Sequence, residues 1–173
     1  MIYIFLIVCL CVYVFVPDCT CMGASAEHLG NAFIYQFAHA SWLHLAINSL
    51  CLILMFNPIR RIYEERFEET NPWSFFVFSY AGSVLAALLT SVSIPTVGAS
   101  GIVYFLLGSL IMLRPTLKQL QGYIYVVLAI IIQFIRGNSN VALHIVAFFL
   151  GALFIIIRLL CKRHSDHFEP LND

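Results

Sequence analysis

Charge is what this chain lacks most. Only 10% of its 173 residues are Asp, Glu, Lys or Arg, against about 25% in an ordinary soluble domain. Nine basic and nine acidic side chains cancel, which leaves no basic excess to hold nucleic acid. No apolar stretch alternates with period two, and that argues against a membrane β-barrel. No internal repeat is evident, and no ionisable group lies near the membrane middle, so a small transporter is disfavoured. The six cysteines (Cys9, Cys11, Cys19, Cys21, Cys51 and Cys161) fit no standard zinc spacing and no disulfide framework. They read as small apolar filler, with palmitoylation of Cys161 beside the basic edge as an option.

What the chain has instead is hydrocarbon. Hydrophobic residues make up 61% of it, in six apolar runs at approximately 1–16, 41–56, 73–93, 99–113, 122–135 and 140–160. In lipid each segment must pair its own backbone amides, so these runs are expected to be helices. A helix crossing ~30 Å of hydrocarbon needs about 20 residues, and three of the runs are clearly shorter. The expectation is an all-α polytopic protein with six transmembrane helices. One membrane domain would cover 1–161, followed by a short polar tail at 162–173. Arg60, Arg61 and Arg66 follow the second run, Arg114 and Lys118 the fourth, and Arg158, Lys162 and Arg163 the sixth. Arg136 alone falls in an alternate connection, so both termini are expected in the cytoplasm. The first run is expected to stay as a helix, because no basic segment precedes it. The stretch Met22-Gly23-Ala24-Ser25-Ala26 keeps a cleaved signal peptide as the alternative.

Polar residues gather at one leaflet. The second run brings His39, His44 and Asn48, the fourth Ser100, and the sixth Asn140 and His144. Polar groups at membrane depth mark functional sites by default. His44 and Asn48 are four apart and share a helix face, as do Ser100 and Tyr104. Gly108 extends the second stripe by a turn. In the sixth run His144, Ala147 and Gly151 form another. Small residues let membrane helices approach closely, so the fourth and sixth helices should press together along Gly101, Gly108, Ala147 and Gly151. That would bring Ser100 beside His144. A fourth helix of 14 residues spans roughly 21 Å, which sets Ser100 on the order of 10 Å below the surface of a ~30 Å core. Gly98 and Gly101 would let the backbone turn tightly around it. Ser100 then occupies a first helical turn, where free N–H groups favour negative charge.

Together the motifs His39-x4-His44-x3-Asn48, Gly98-Ala99-Ser100-Gly101 with Tyr104, and His144 with Gly151 resemble the rhomboid family of intramembrane serine proteases. The resemblance covers nearly the whole chain. It implies the six-helix rhomboid core, and an endopeptidase that cuts the transmembrane helices of other membrane proteins near their outer end, as in regulated proteolysis. Ser100 would be the nucleophile and His144 the general base, with no carboxylate and with Tyr104 stacked on the imidazole. His44, Asn48 and the Ser100 N–H would form the oxyanion hole, and His39 would position the loop. No cofactor and no metal are implied, since His39 and His44, five apart, are expected to point away from each other. The partners would be a transmembrane substrate and the lipid bilayer. Substrate access would lie between the second and fifth helices, beneath a lid at 136–140. A bacterial inner membrane is the expected location, and the oligomeric state stays open. The chain departs from the family in its short first loop (about 17–38) and in Phe56-Asn57-Pro58-Ile59-Arg60 after the second run. It also carries Leu143 and Ala147 where smaller residues are usual. The rival reading is a catalytically silent relative that binds transmembrane helices; such proteins usually lose the serine or the histidine, and both are present here.

Overall fold

The computed structural model describes residues 1–71, 73–90, 95–113 and 140–166. The fifth run, the cations Arg114, Lys118 and Arg136, and all of the expected lid but Asn140 lie outside the described residues. Within them the protein is all-α: α1 (Ile2–Phe15), α2 (Trp42–Phe67), α3 (Ser74–Leu89), α4 (Ser100–Leu113) and α5 (Val141–Asp166). Two helices, Trp42–Phe67 and Val141–Ser165, are long and apolar enough to cross a membrane, whereas α1, α3 and α4 are shorter apolar helices.

Local chemistry sets the helix ends. The Ser41 side chain caps α2 by accepting from the His44 N–H at 3.2 Å, satisfying an amide that helix geometry leaves free. The helix then runs through Pro58 and beyond the apolar stretch 41–56, with Arg60 and Glu64 paired at 2.6 Å one turn apart. It stops at Glu68, whose left-handed backbone (φ 53°) breaks the ladder. α5 likewise outlasts its apolar run and carries the expected tail residues Lys162–Asp166 as helix.

α4 is the axle of the bundle. Gly101 through Leu106 are all buried, as are Gly108, Ser109 and Leu113. A helix apolar on all sides belongs in a core, and α2, α3 and α5 pack around this one. An ideal Cβ on Gly108 would lie 1.9 Å from the Phe148 carbonyl oxygen, and one on Gly151 2.0 Å from that of Phe105. The α4–α5 seam is therefore backbone on backbone at these glycines, with Ala147 buried between them. Gly101 departs from the expected seam. It faces Ser83 and Tyr35 first, with Leu143 of α5 farther off at 3.2 Å from an ideal Cβ. On the outside, Leu43, Leu54, Leu89, Phe149 and Leu160 are each more than half exposed, the surface of a protein whose solvent is hydrocarbon.

The loop between α1 and α2 is more ordered than its composition suggests. It contains three short 3-10 turns, of which the second packs on α3 and the third on α1 and α4. Ala24 and Thr96 exchange both backbone hydrogen bonds at 2.9 Å. Tyr80 Oη donates to the Phe33 carbonyl. The first contact ties the loop to the segment leading into Ser100, the second to α3.

Candidate active site

α4 begins at Ser100 itself. Just before it, Gly98 adopts φ +113°, a conformation that side chains rarely accept. Its N–H donates to the Tyr35 carbonyl at 3.0 Å. The amides of the first helical turn, Ser100 and Gly101 among them, have no acceptor within the helix.

Ser100 Oγ and His144 Nε2 are 2.8 Å apart, although 44 residues separate them in sequence. Ser100 is half-buried and His144 is 4% exposed. The His144 ring stacks on Tyr104 at 4.3 Å between centroids and 21° between planes. Its Nδ1 has no partner among the described residues. When Nε2 accepts from the serine hydroxyl, the ring proton stays on Nδ1. The imidazole is thus held against an aromatic ring, with no carboxylate on its Nδ1 among the described residues.

His44 and Asn48 come from α2 to the same turn. An ideal Cβ on Gly98 would fall 2.7 Å from His44 Nε2 and 3.2 Å from Asn48 Nδ2. The missing side chain is what lets both groups lie against the backbone two residues ahead of Ser100. Asn48 is buried, and its Nδ2 has no hydrogen-bond acceptor among the described residues. A buried amide donor without an acceptor is costly, and here it points at the turn that carries the serine.

His39 corrects one expectation. It lies in the loop ahead of α2, not on the helix, so helical spacing does not govern it. Its ring meets that of His44 edge-on at 5.2 Å instead of pointing away. His39 is buried, and burial, reinforced by His44, pushes its pKa down to about 4. Two imidazoles do not make a metal site on their own, and no group of three or more His, Cys, Asp or Glu among the described residues is placed to hold a metal ion.

Two supports, Tyr35 and Ser83, escaped the sequence, and a third, Asn140, was singled out there without its capping role. Tyr35 is fully buried; its hydroxyl lies 2.6 Å from Ser83 Oγ, and both hydroxyls press on Gly101. Asn140 Oδ1 caps α5 by accepting from the Leu143 N–H at 3.0 Å, while its Nδ2 donates to the Thr90 carbonyl and to Thr96 Oγ1. Asn140 thus fastens the helix bearing His144 to the strand of backbone entering Ser100. Its place four residues before His144 was the available signal. Tyr35 and Ser83 offered none beyond being polar in apolar surroundings.

The family model for the rhomboid domain matches residues 26–161, a stretch that holds every residue of this site. The chain belongs to the rhomboid family. No curated protein matches it. Within this rhomboid, α1 lies ahead of the matched stretch, although Phe5 packs on Phe37 and Phe76 at 5.0 and 5.7 Å and joins the same core. Family and apolar helices together mark an integral membrane protein.

Proposed function

We propose that this rhomboid is an active intramembrane serine endopeptidase, with Ser100 as nucleophile and His144 as general base. The 2.8 Å contact between the two side chains carries the reading. Rhomboids are in general serine proteases acting on transmembrane substrates. A silent relative would have no need to hold a serine hydroxyl on the Nε2 of a stacked, carboxylate-free imidazole.

In the proposed reaction, His144 Nε2 takes the Ser100 proton as Oγ attacks the scissile carbonyl. The oxyanion that forms is met by Asn48 Nδ2, the His44 ring and the Ser100 N–H; the first two lie against Gly98, two residues ahead of Ser100. Fixed donors of this kind need no reorganisation as charge develops. His144 passes its proton to the leaving amine, and water then frees the acyl-enzyme by the same steps in reverse. The substrate helix must unwind to present a carbonyl, because helical carbonyls are already hydrogen-bonded. Residues 1–161 would act as one membrane unit, in a bacterial inner membrane.

Cleavage of a transmembrane reporter in reconstituted vesicles tests this. Wild type should cut it, and Ser100→Ala and His144→Ala, each folded, should not. Equal cleavage by all three would remove the proteolytic assignment.

A further inference from the structure

At the end of the bundle opposite Ser100, the last turns of α2, α4 and α5 converge. Arg66 donates from Nη1 to the Leu113 carbonyl at 2.9 Å. Lys162 Nζ donates to the Arg66 carbonyl at 3.0 Å and to Glu68 Oε1 at 2.6 Å. Arg158 lies 3.7 Å from Glu69 and over the rings of Tyr63 and Phe67. These contacts frame a groove of about 510 Å³ lined by Arg66, Ile156, Leu159, Leu160, Lys162 and Arg163.

The lining has two halves. Ile156, Leu160 and Arg163 stand at i, i+4 and i+7 and so share one face of α5. Seven residues of helix rise roughly 10 Å, so an aliphatic floor leads directly up to a guanidinium. The charges do not cancel. Glu68 is taken up by Lys162 and Glu69 by Arg158. Arg66 bonds a neutral carbonyl, and Arg163 has no carboxylate partner among the described residues. Cations at helix C-termini complement the dipole, but the dipole gives no reason for a greasy groove beneath them.

We propose that this groove binds an anionic glycerophospholipid, its phosphate between Arg66 and Arg163 and one acyl chain along Ile156 and Leu160. The basic end of the bundle belongs to the cytoplasmic leaflet, where anionic headgroups meet basic pockets between helices. A lipid there would bridge α2 and α5, the helices that carry His44, Asn48 and His144 at their other ends. The inference stands apart from the proteolytic reading and survives its failure.

The test is native mass spectrometry of the full chain in detergent, titrated with phosphatidylglycerol or phosphatidylcholine. Wild type should retain phosphatidylglycerol selectively. Arg66→Gln and Arg163→Gln should each weaken retention about fivefold, and the double variant about 25-fold. Arg61→Gln, an exposed cation of α2 outside the groove, should leave retention unchanged. Ile156→Trp keeps every charge but fills the floor, and should lose selectivity; it serves if the double variant does not fold. Equal retention of both lipids, an Arg61→Gln loss matching the double variant, full selectivity in Ile156→Trp, or displacement by an equal concentration of inorganic phosphate would each overturn the proposal.

Discussion

Adding one methyl group at Gly151 should pull Ser100 and His144 apart from about two turns away. An ideal Cβ there lies 2.0 Å from the Phe105 oxygen and 2.8 Å from its carbonyl carbon, both backbone atoms with no rotamer to yield. Ordinary contact begins at 3.4 Å, so α4 and α5 must part by 3.4 less 2.0, or about 1.4 Å. Carried rigidly to the helix starts, that parting stretches the 2.8 Å Ser100–His144 contact to about 4.2 Å, beyond hydrogen bonding. A misplacement of 1 Å costs on the order of 10²-fold in rate, and overpacking a tight core costs about 1–3 kcal/mol. Gly151→Ala should therefore lower kcat on a transmembrane reporter by about 10²-fold with KM little changed, while thermal unfolding still shows a folded protein. Gly108→Ala, which drives a Cβ to 1.9 Å from the Phe148 oxygen, should behave alike. A Gly151→Ala protein that melts earlier yet keeps wild-type kcat would refute the argument, since the seam would then not set the dyad distance.

Other expectations follow from single contacts. Asn48 Nδ2 has no partner to lose, so Asn48→Ala should cost little stability but 10²–10³-fold, or about 3–4 kcal/mol, in kcat; unfolding and turnover measured on one preparation separate the two. Tyr104→Phe keeps the stack on His144 and should retain near wild-type activity, whereas Tyr104→Ala forfeits about 0.5–1.5 kcal/mol of ring contact and should slow turnover several-fold. His39 titrates near 4 when folded against 6.5 when free. Between those values the unfolded chain binds the extra proton, so stability is full above pH 6.5 and falls as pH drops towards 4. The loss is on the order of 3 kcal/mol, and His39→Gln should flatten that part of the stability–pH curve.

Helix placement was legible because lipid forces apolar runs to become helices, and α3, α4 and α5 begin within a residue or so of the runs that announced them. The ends were less so. The second apolar run ends at 56, yet α2 continues through Pro58 to Phe67, since the polar turns after it pair their own charges, as Arg60 does with Glu64. The Ser100–His144 contact was legible from small-residue spacing, since Gly108 and Gly151 each bring the two helix backbones together. Gly101 misled because a glycine does not declare which neighbour it admits; Tyr35 and Ser83, from distant parts of the chain, fill that space. His39 misled because periodicity was applied to a residue outside the helix. The first loop was opaque, for its order comes from long-range partners such as Ala24 with Thr96, which no local pattern encodes.

The central claim is that His144 makes the Ser100 oxygen nucleophilic, and covalent labelling reads it directly. A serine-directed fluorophosphonate should modify wild-type protein at Ser100, located by peptide mass spectrometry, and should leave Ser100→Ala unmodified. His144→Ala should label at least 10²-fold more slowly. Labelling of Ser100 at the same rate with and without His144, or no labelling of folded wild-type protein, would contradict the account.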